Sequence, residues 1–272
     1  MGRALEVICG QVTAPSTTLA AWTMNTGNSL TVRSTRPEAR IHLLTAWGAN
    51  QGDGELRIVS PRLHDNVNCL RFALEGGEGP NLLVDPMFKQ RLYPQDALVV
   101  TQSGSATCGD IELGAMLFYY EDLPGVDARL ASPEFIRSRM QNLKTVPTTL
   151  NSGTTGNYSG EQTLVADFSE LKANHDYALL GYTFNTSQIF STIRIRGNDS
   201  GNLGIGMPAF EGSEMLASNW FEWLSTRSGL PCIPIFQSAN GTNILVDVHC
   251  SENDANPNVN FLFAELGPTA AV

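Results

Sequence analysis

The second half of this 272-residue chain repeats the order of the first, and that repeat limits the folds open to it more than any other feature. Ile41-His42-Leu43-Leu44-Thr45 matches Tyr177-Ala178-Leu179-Leu180-Gly181, and Leu56-Arg57-Ile58 matches Ile193-Arg194-Ile195, both at offsets close to half the chain. Further on, a helix start at Asp85-Pro86 stands where the second half has one at Ser213. Each is followed by a proline, Pro94 or Pro231, and then by an apolar run, Ala97 to Val100 or Ile233 to Phe236. Each half closes on an apolar strand running into an acid, Leu117 to Glu121 or Phe261 to Glu265, with Pro124 or Pro268 just beyond. Each string alone is common; four in one order are hard to assign to chance. The offset grows from 136 to 144 along the chain, and the polar loop Ser251 to Asn256 is the expected insertion, because a surface loop lengthens at little entropic cost.

Within each half, short apolar or alternating runs are separated by Gly, Asn, Pro and Ser clusters, the pattern of many strands joined by turns. The first set of expected strands is Leu5 to Cys9, Ser29 to Ser34, Arg40 to Trp47, Glu55 to Ser60, Asn68 to Leu74, Ala97 to Gln102, Gly109 to Leu113 and Met116 to Tyr120. The second is Gln162 to Phe168, Tyr177 to Thr183, Ile189 to Arg196, Gly204 to Pro208, Cys232 to Gln237, Thr242 to His249 and Asn258 to Ala264. Strict alternation in Ile193 to Arg196 sends one side to a core and the other to water. Three helices carry start signals. Ser132-Pro133-Glu134 supplies a cap, a proline and an acid ahead of Phe135 to Leu143; Asp85-Pro86 does the same for Met87 to Leu92. The third runs from Ser213 to Ser228 and stops at Gly229, with Met215, Leu216, Trp220, Phe221, Trp223 and Leu224 in a broad apolar stripe.

Composition narrows the function. Hydrophobic residues make up 42% of the chain and charged residues 16%, which excludes a disordered or coiled-coil protein. The net charge is −10 and lysine occurs only at Lys89, Lys144 and Lys172, so direct nucleic-acid binding is not expected. Cys9, Cys69, Cys108, Cys232 and Cys250 are odd in number and never form a CxxC pair, which reads as buried thiols made in a reducing compartment. Met1 to Ala21 has no signal-peptide pattern and no run approaches the ~20 apolar residues of a membrane span, so the sequons at Asn157, Asn185, Asn198 and Asn240 are read as accidents of composition.

No residue constellation points to catalysis. His42, His64, His175 and His249 lack metal-ligand spacing. Gly197-Asn198-Asp199-Ser200-Gly201 has the Asp-Ser-Gly string of chymotrypsin-like proteases, but no histidine with the right flanks, and a turn explains it better. The acid pairs Asp110 with Glu112, Glu121 with Asp122 and Glu252 with Asp254 are read as solvated charges; the Ser251 to Asn256 loop is the best calcium candidate, without EF-hand spacing. Trp22, Trp47, Trp220 and Trp223 would suit a sugar platform, though burial against a sheet accounts for the helical pair. No catalytic, cofactor or metal residue is assigned, and no enzyme is expected.

Two tandem β units, each with a helix before its last strands, resemble the double jelly-roll major capsid proteins of tailless icosahedral viruses, over about Thr13 to Leu266. The resemblance rests on architecture and repeated order, since that family has no short diagnostic motif. It implies a mainly β fold of two eight-stranded jelly-roll sandwiches joined by a helical linker: residues 1–130, linker 131–146, and 147–272. It also implies a viral structural protein found in the virion and made in the host cytoplasm, forming homotrimers of pseudo-hexagonal outline that meet neighbouring capsomers and other virion proteins. Met1 to Ala21 is not a basic arm, which fits a shell over a lipid membrane or over other proteins. The competing expectation is a tandem β-sandwich binding module of a spike, tail or carbohydrate-binding protein; an enzyme on a β-sandwich comes third.

Overall fold

The structure, a computed structural model, describes residues 2–13, 17–25, 28–64, 67–77, 80–106, 111–154, 161–164, 171–185, 190–210, 215–239, 244–252 and 256–269. In chain order the first unit contains β1 (Ala4–Thr13), β2 (Ala20–Ala21), β3 (Thr23–Met24), β4 (Ile41–Ala49), β5 (Gly54–Val59), β6 (Leu70–Leu74), β7 (Asn81–Leu82), a 3-10 turn (Pro86–Phe88), β8 (Gln90–Leu92), β9 (Val99–Gln102) and β10 (Ile111–Tyr120). Then come β11 (Leu130–Ala131) and helix α1 (Pro133–Arg139). The second unit follows with β12 (Asn142–Thr149), β13 (Gln162–Thr163), β14 (His175–Asn185), β15 (Phe190–Arg196), β16 (Ile205–Pro208), helices α2 (Met215–Ser218) and α3 (Trp220–Ser228), β17 (Ile233–Gln237), β18 (Leu245–Cys250) and β19 (Asn258–Pro268). The protein is mainly β, 50% strand against 12% helix.

Each unit is built from two antiparallel sheets, and the two units order their strands alike. The first has β3-β1-β10-β4-β7, with β8 also on β4, and β2-β9-β5-β6; the second has β11-β17-β14-β19-β12 and β13-β18-β15-β16. Matching β1 with β12, β10 with β19, β4 with β14 and β8 with β17 makes the longer sheets the same permutation, and β2-β9-β5-β6 matches β13-β18-β15-β16. A β-bulge sits at the matched position in both. Opposite β10, the register skips Leu44; opposite β19, it skips Leu180. These are the fourth residues of the two strings that first marked the repeat, and an extra residue at one place in both copies is a local feature of the backbone rather than of composition.

The register also corrects the alignment of the halves. Ile41 faces Leu92 and Tyr177 faces Phe236, so β17 matches β8, and Val99–Gln102 matches β18 instead of Ile233 to Phe236. Positions 41 and 177 lie 136 apart while 92 and 236 lie 144 apart, so the insertion precedes β17. It lies in the helical connection, and not in the Ser251 to Asn256 loop. The closing strands match Phe118 to Phe263, one residue off the sequence alignment, and such a slip exchanges the faces of a strand.

Several element extents also differ from expectation. Helix α1 has the expected cap, Phe135 N donating to Ser132 Oγ, but ends at Arg139 because Asn142 onward pairs with β19. The Asp85-Pro86 signal yields one 3-10 turn, since Gln90–Leu92 is taken by β4. Ser29 to Ser34 contributes only a bridge from Thr31 to Ala97. Ile111–Tyr120 is one strand, and Gly114 lies beneath Trp22, where a Cβ would sit 2.4 Å from the indole. α3 stops as expected at Gly229 in the left-handed region, φ 68°. Ser213, Cys108, Asp110 and Asp254 lie outside the described residues.

The first ten residues of the sheet are no appendage. β1 lies between β3 and β10 and is buried on both faces: Ala4, Ile8 and Val12 enter the first unit's core, while Leu5, Val7 and Cys9 enter a core shared with the second unit. That shared core also takes Leu44, Trp47, Ala115, Leu117 and Tyr119 from the first unit. The accessible surface, 11215 Å², matches the ~11,500 Å² of one body of this mass and falls short of the ~13,900 Å² of two half-mass bodies. The units share an extensive seam.

Candidate functional site

The seam is formed by the outer face of the first unit's long sheet and the outer face of the second unit's β13-β18-β15-β16 sheet. Val7 N donates to Gly204 O at 2.8 Å, and a Cβ on Gly206 would lie 2.4 Å from Val7 Cβ, so only glycine lets β16 approach β1 this closely. Trp47 Nε1 donates to Ser191 O at 2.9 Å and lies 3.1 Å from Thr192 Oγ1, and its ring meets Trp220 edge-on at 6.1 Å. Several buried polar groups here are paired, as a low dielectric favours, although the Trp220 indole N–H is buried without a hydrogen-bond partner among the described residues. His249 Nδ1 is 2.7 Å from Ser191 Oγ, and Arg194 makes two bonds to Asp247, at 2.9 and 2.6 Å.

The sequence expectation placed Arg194 in water. Its side chain is only 12% exposed and that of Asp247 only 2%, because the first unit covers this face. Burial pushes the Asp247 carboxyl up, and the Arg194 guanidinium pulls against it. The corresponding face of the first unit, on β5 and β9, stays open: Arg57 pairs with Glu55 on the surface, and Val59, Val99 and Thr101 are partly or fully exposed. Conversely, the long sheet of the second unit leaves Leu143, Thr145, Pro147 and Thr149 of β12 exposed, with Leu180, Thr183, Asn260 and Leu262 half-buried beside them. The rest of its outer side is closed by α1, α2 and α3; Gly181 admits α2, since a Cβ would fall 2.1 Å from Ala217 O.

Two further links tie the units. Asp85 pairs with Arg227, and Lys89 Nζ donates to Ser228 O at the end of α3. Arg129 donates to both oxygens of Asp176, at 3.0 and 2.7 Å, and lies 3.6 Å from Asp199; burial opposes its charge, but the two carboxylates hold its pKa above the usual arginine value. None of these pairs has a short-range sequence signature, since partners lie tens of residues apart. The buried face of Arg194 was hinted at only by the alternating run.

The residues singled out by sequence do not converge. His42 Nε2 is 3.3 Å from Glu121, His64 Nδ1 accepts from Ser60 N, His175 is 3.8 Å from Glu265, and His249 is enclosed at the seam. Ser200 sits in a 3-10 turn with its hydroxyl bound to the backbone of Gly197 and Leu203, while Asp199 accepts from Gln237 N; the local-turn reading holds. Glu112 is buried and takes Gln51 N and Ser105 N on its two oxygens; Asp122 pairs with Arg36. Trp22 donates to Gln102 and is buried with Trp47 and Trp220, while Trp223 stacks on Trp220 at 5.3 Å. Among the described residues no group of three or more His, Cys, Asp or Glu could hold a metal, and no disulfide joins the four described cysteines. The sequence leads one to expect Phe88, Leu92, Trp220, Phe221 and Leu224 to be buried against the sandwich or against a neighbouring subunit; within the chain Leu92, Trp220, Phe221 and Leu224 are buried and Phe88 is 73% exposed.

One open cleft of about 1330 Å³ lies where the units meet, lined by Arg3, Arg40, Glu121, Asp122, Arg129 and Glu134 among others. Much of this charge is already paired: Arg40 and His42 with Glu121, Arg36 with Asp122, and Arg129 with Asp176.

No family model matches the chain, and no curated protein matches it. Among solved structures it is similar to XepA, an exported protein of PBSX, at 10% identity over 92% of this chain and 88% of that one, with a TM-score of 0.21. It is also similar to YhaK from Escherichia coli, at 12% identity over 96% and 86%, TM-score 0.22. A third is the major capsid protein P2 of bacteriophage PM2, at 6% identity over 99% and 100%, TM-score 0.21. Likenesses this distant carry no argument about function. Among the described residues no helix is long and apolar enough to cross a membrane.

Proposed function

We propose that this chain is a double jelly-roll capsid subunit that assembles head to tail into homotrimers of pseudo-hexagonal outline, and that it has no catalytic role. The observation that carries this reading is the seam. Two units with one strand order meet through unlike faces, the long sheet of the first and the short sheet of the second. The pairing is used once within the chain; the short-sheet face of the first unit on β5 and β9 stays open, and the long sheet of the second keeps its β12 edge uncovered beside the helices. A heterologous contact of this kind repeats from copy to copy and closes when the rotation per step divides the circle. Two similar units per chain and three chains make six edges, a tile that packs a closed shell in the virion with few distinct contacts.

Native mass spectrometry and sedimentation at low and high salt test this. A trimer that persists as salt rises is expected, because only 16% of residues are charged and the seam residues are mostly apolar. A stable monomer under both conditions would overturn it. The second reading, a tandem β-sandwich binding module, is favoured by the open cleft between the units; saturable binding of a glycan or peptide to a monomer would select it.

A further inference from the structure

The 3-10 turn carries the only adjacent pair of large exposed apolar side chains among the described residues, Met87 at 57% and Phe88 at 73%. The turn that presents them is held on both flanks. Asp85 accepts from Met87 N at 2.9 Å while its carboxylate pairs with Arg227, and Lys89 on the other side donates to Ser228 O. α3 of the second unit thus clamps the turn and leaves the two apolar side chains uncovered. An aromatic fixed in place before binding is the usual make-up of an interface anchor, because its ordering cost is met in advance.

The partner follows from continuity with the seam. The clamp belongs to the contact between units, so Met87 and Phe88 extend that contact outward on the first unit's side. A second exposed apolar set, Phe135, Met140 and Leu143, lies on α1 and the start of β12. α1 is joined to α3 by Arg137 and Glu222, at 2.7 Å, so this set extends the same region on the second unit's side. One uncovered patch on each unit, on unlike elements, is what a head-to-tail contact between copies requires.

We infer that Met87 and Phe88 of one copy seat against Phe135, Met140 and Leu143 of the next. The inference rests on the self-assembly reading above. It is tested on the full chain with Met87→Ser combined with Phe88→Ser, and separately with Phe135→Ser combined with Leu143→Ser, using mass photometry and sedimentation over a concentration series. Circular dichroism checks that these exposed replacements leave the fold intact. Both double variants should need roughly 30-fold more protein to assemble, the effect of losing one buried aromatic anchor. Phe88→Cys with Phe135→Cys should give oxidised cross-links between chains that neither single replacement gives. If the native chain is a trimer and the variants assemble at the same concentration without cross-links, the inference is wrong and the self-assembly reading survives; a monomeric native chain removes that reading itself. Variants that keep the trimer but lose binding to phosphatidylglycerol vesicles or to another virion protein would overturn the inference by assigning the pair to that occupant.

Discussion

Replacing Trp47 with Ala tests whether the two units form one cooperative body. Trp47 belongs to the first unit by sequence, yet its indole is fully buried against Ser191, Thr192 and Trp220 of the second. Removing a buried aromatic costs about 3–5 kcal/mol in transfer and cavity terms. Loss of the bond to Ser191 O adds about 1, and loss of the edge-on pair with Trp220 adds about 0.5–1.5 beyond area. These contributions overlap, so a total near 4–6 kcal/mol is expected, a large share of the roughly 5–15 kcal/mol by which domains are stable. The assay is urea unfolding of the native and variant chains, followed by tryptophan fluorescence and far-ultraviolet circular dichroism. One transition, coincident by both probes, should move to lower urea as a whole. A loss below about 2 kcal/mol, or two transitions of which only one moves, would refute the shared core.

Gly206→Val should destabilise the same seam by about 1–3 kcal/mol, because the new side chain meets Val7; an unchanged urea midpoint would show that β16 and β1 do not abut as described. Arg194→Met should cost about 3–5 kcal/mol by stranding the buried Asp247, and adding Asp247→Leu should recover much of it; a double variant no better than the single would deny the coupling. His42 is held below its ordinary value near 6.5 by burial, with Glu121 opposing and Lys89 and Arg91 adding to the shift. The unfolded chain then takes up the proton first, so stability present above about pH 6.5 falls as pH drops through that value; His42→Gln should flatten the urea midpoint between about pH 7.5 and 5.5, and an equal slope in the variant would count against it. Burial pushes the Cys232 thiol up to about 12 and that of Cys250 up to about 11, so neither should be alkylated by iodoacetamide in the native state, as peptide mass mapping would show; half-buried Cys69 is the internal comparison.

The repeat was legible because Ile41 to Thr45 and Tyr177 to Gly181 are matched strands with one bulge pattern, and backbone features of that kind keep a local string. The correspondence failed further along, where Ala97 to Val100 and Ile233 to Phe236 looked alike only because any buried strand can be written in Val, Ile, Leu and Phe. The end of α1 was lost for a different reason. Local propensity favoured helix through Leu143, but pairing of Asn142 to Thr149 with β19 outweighed it. The seam itself left little trace, since its bonds join residues far apart: Trp47 with Ser191, Val7 with Gly204, Arg129 with Asp176. Sequence could not say which way Phe88 would be covered, because apolarity marks a core position and a docking position alike, and within the chain it is 73% exposed.

The strongest trace of the arrangement lies in how the two copies of one strand have diverged. β1 and β12 hold the same place in their sheets, each beside the closing strand, β10 or β19. β1 reads Ala-Leu-Glu-Val-Ile-Cys-Gly-Gln-Val-Thr and is buried through Val12, whereas β12 reads Asn-Leu-Lys-Thr-Val-Pro-Thr-Thr, with only Val146 and Thr148 buried. A strand covered on both faces carries a continuous apolar run, and one covered on a single face alternates. The first unit's face is covered permanently within its own chain, so nothing opposed its becoming largely apolar, and the buried Glu6 on the strand's other face is paired with Arg33 and Tyr120. Under the proposed head-to-tail assembly, the second unit's face has to remain soluble until a partner arrives. Threonines with isolated apolar residues, and Pro147 withholding one donor from an edge strand, suit a surface that is wet before assembly and protected from indiscriminate strand pairing. Leu143 remains the apolar exception on β12, at 49% exposure, and it lies beside the helix that bears Phe135, where the next copy is proposed to dock.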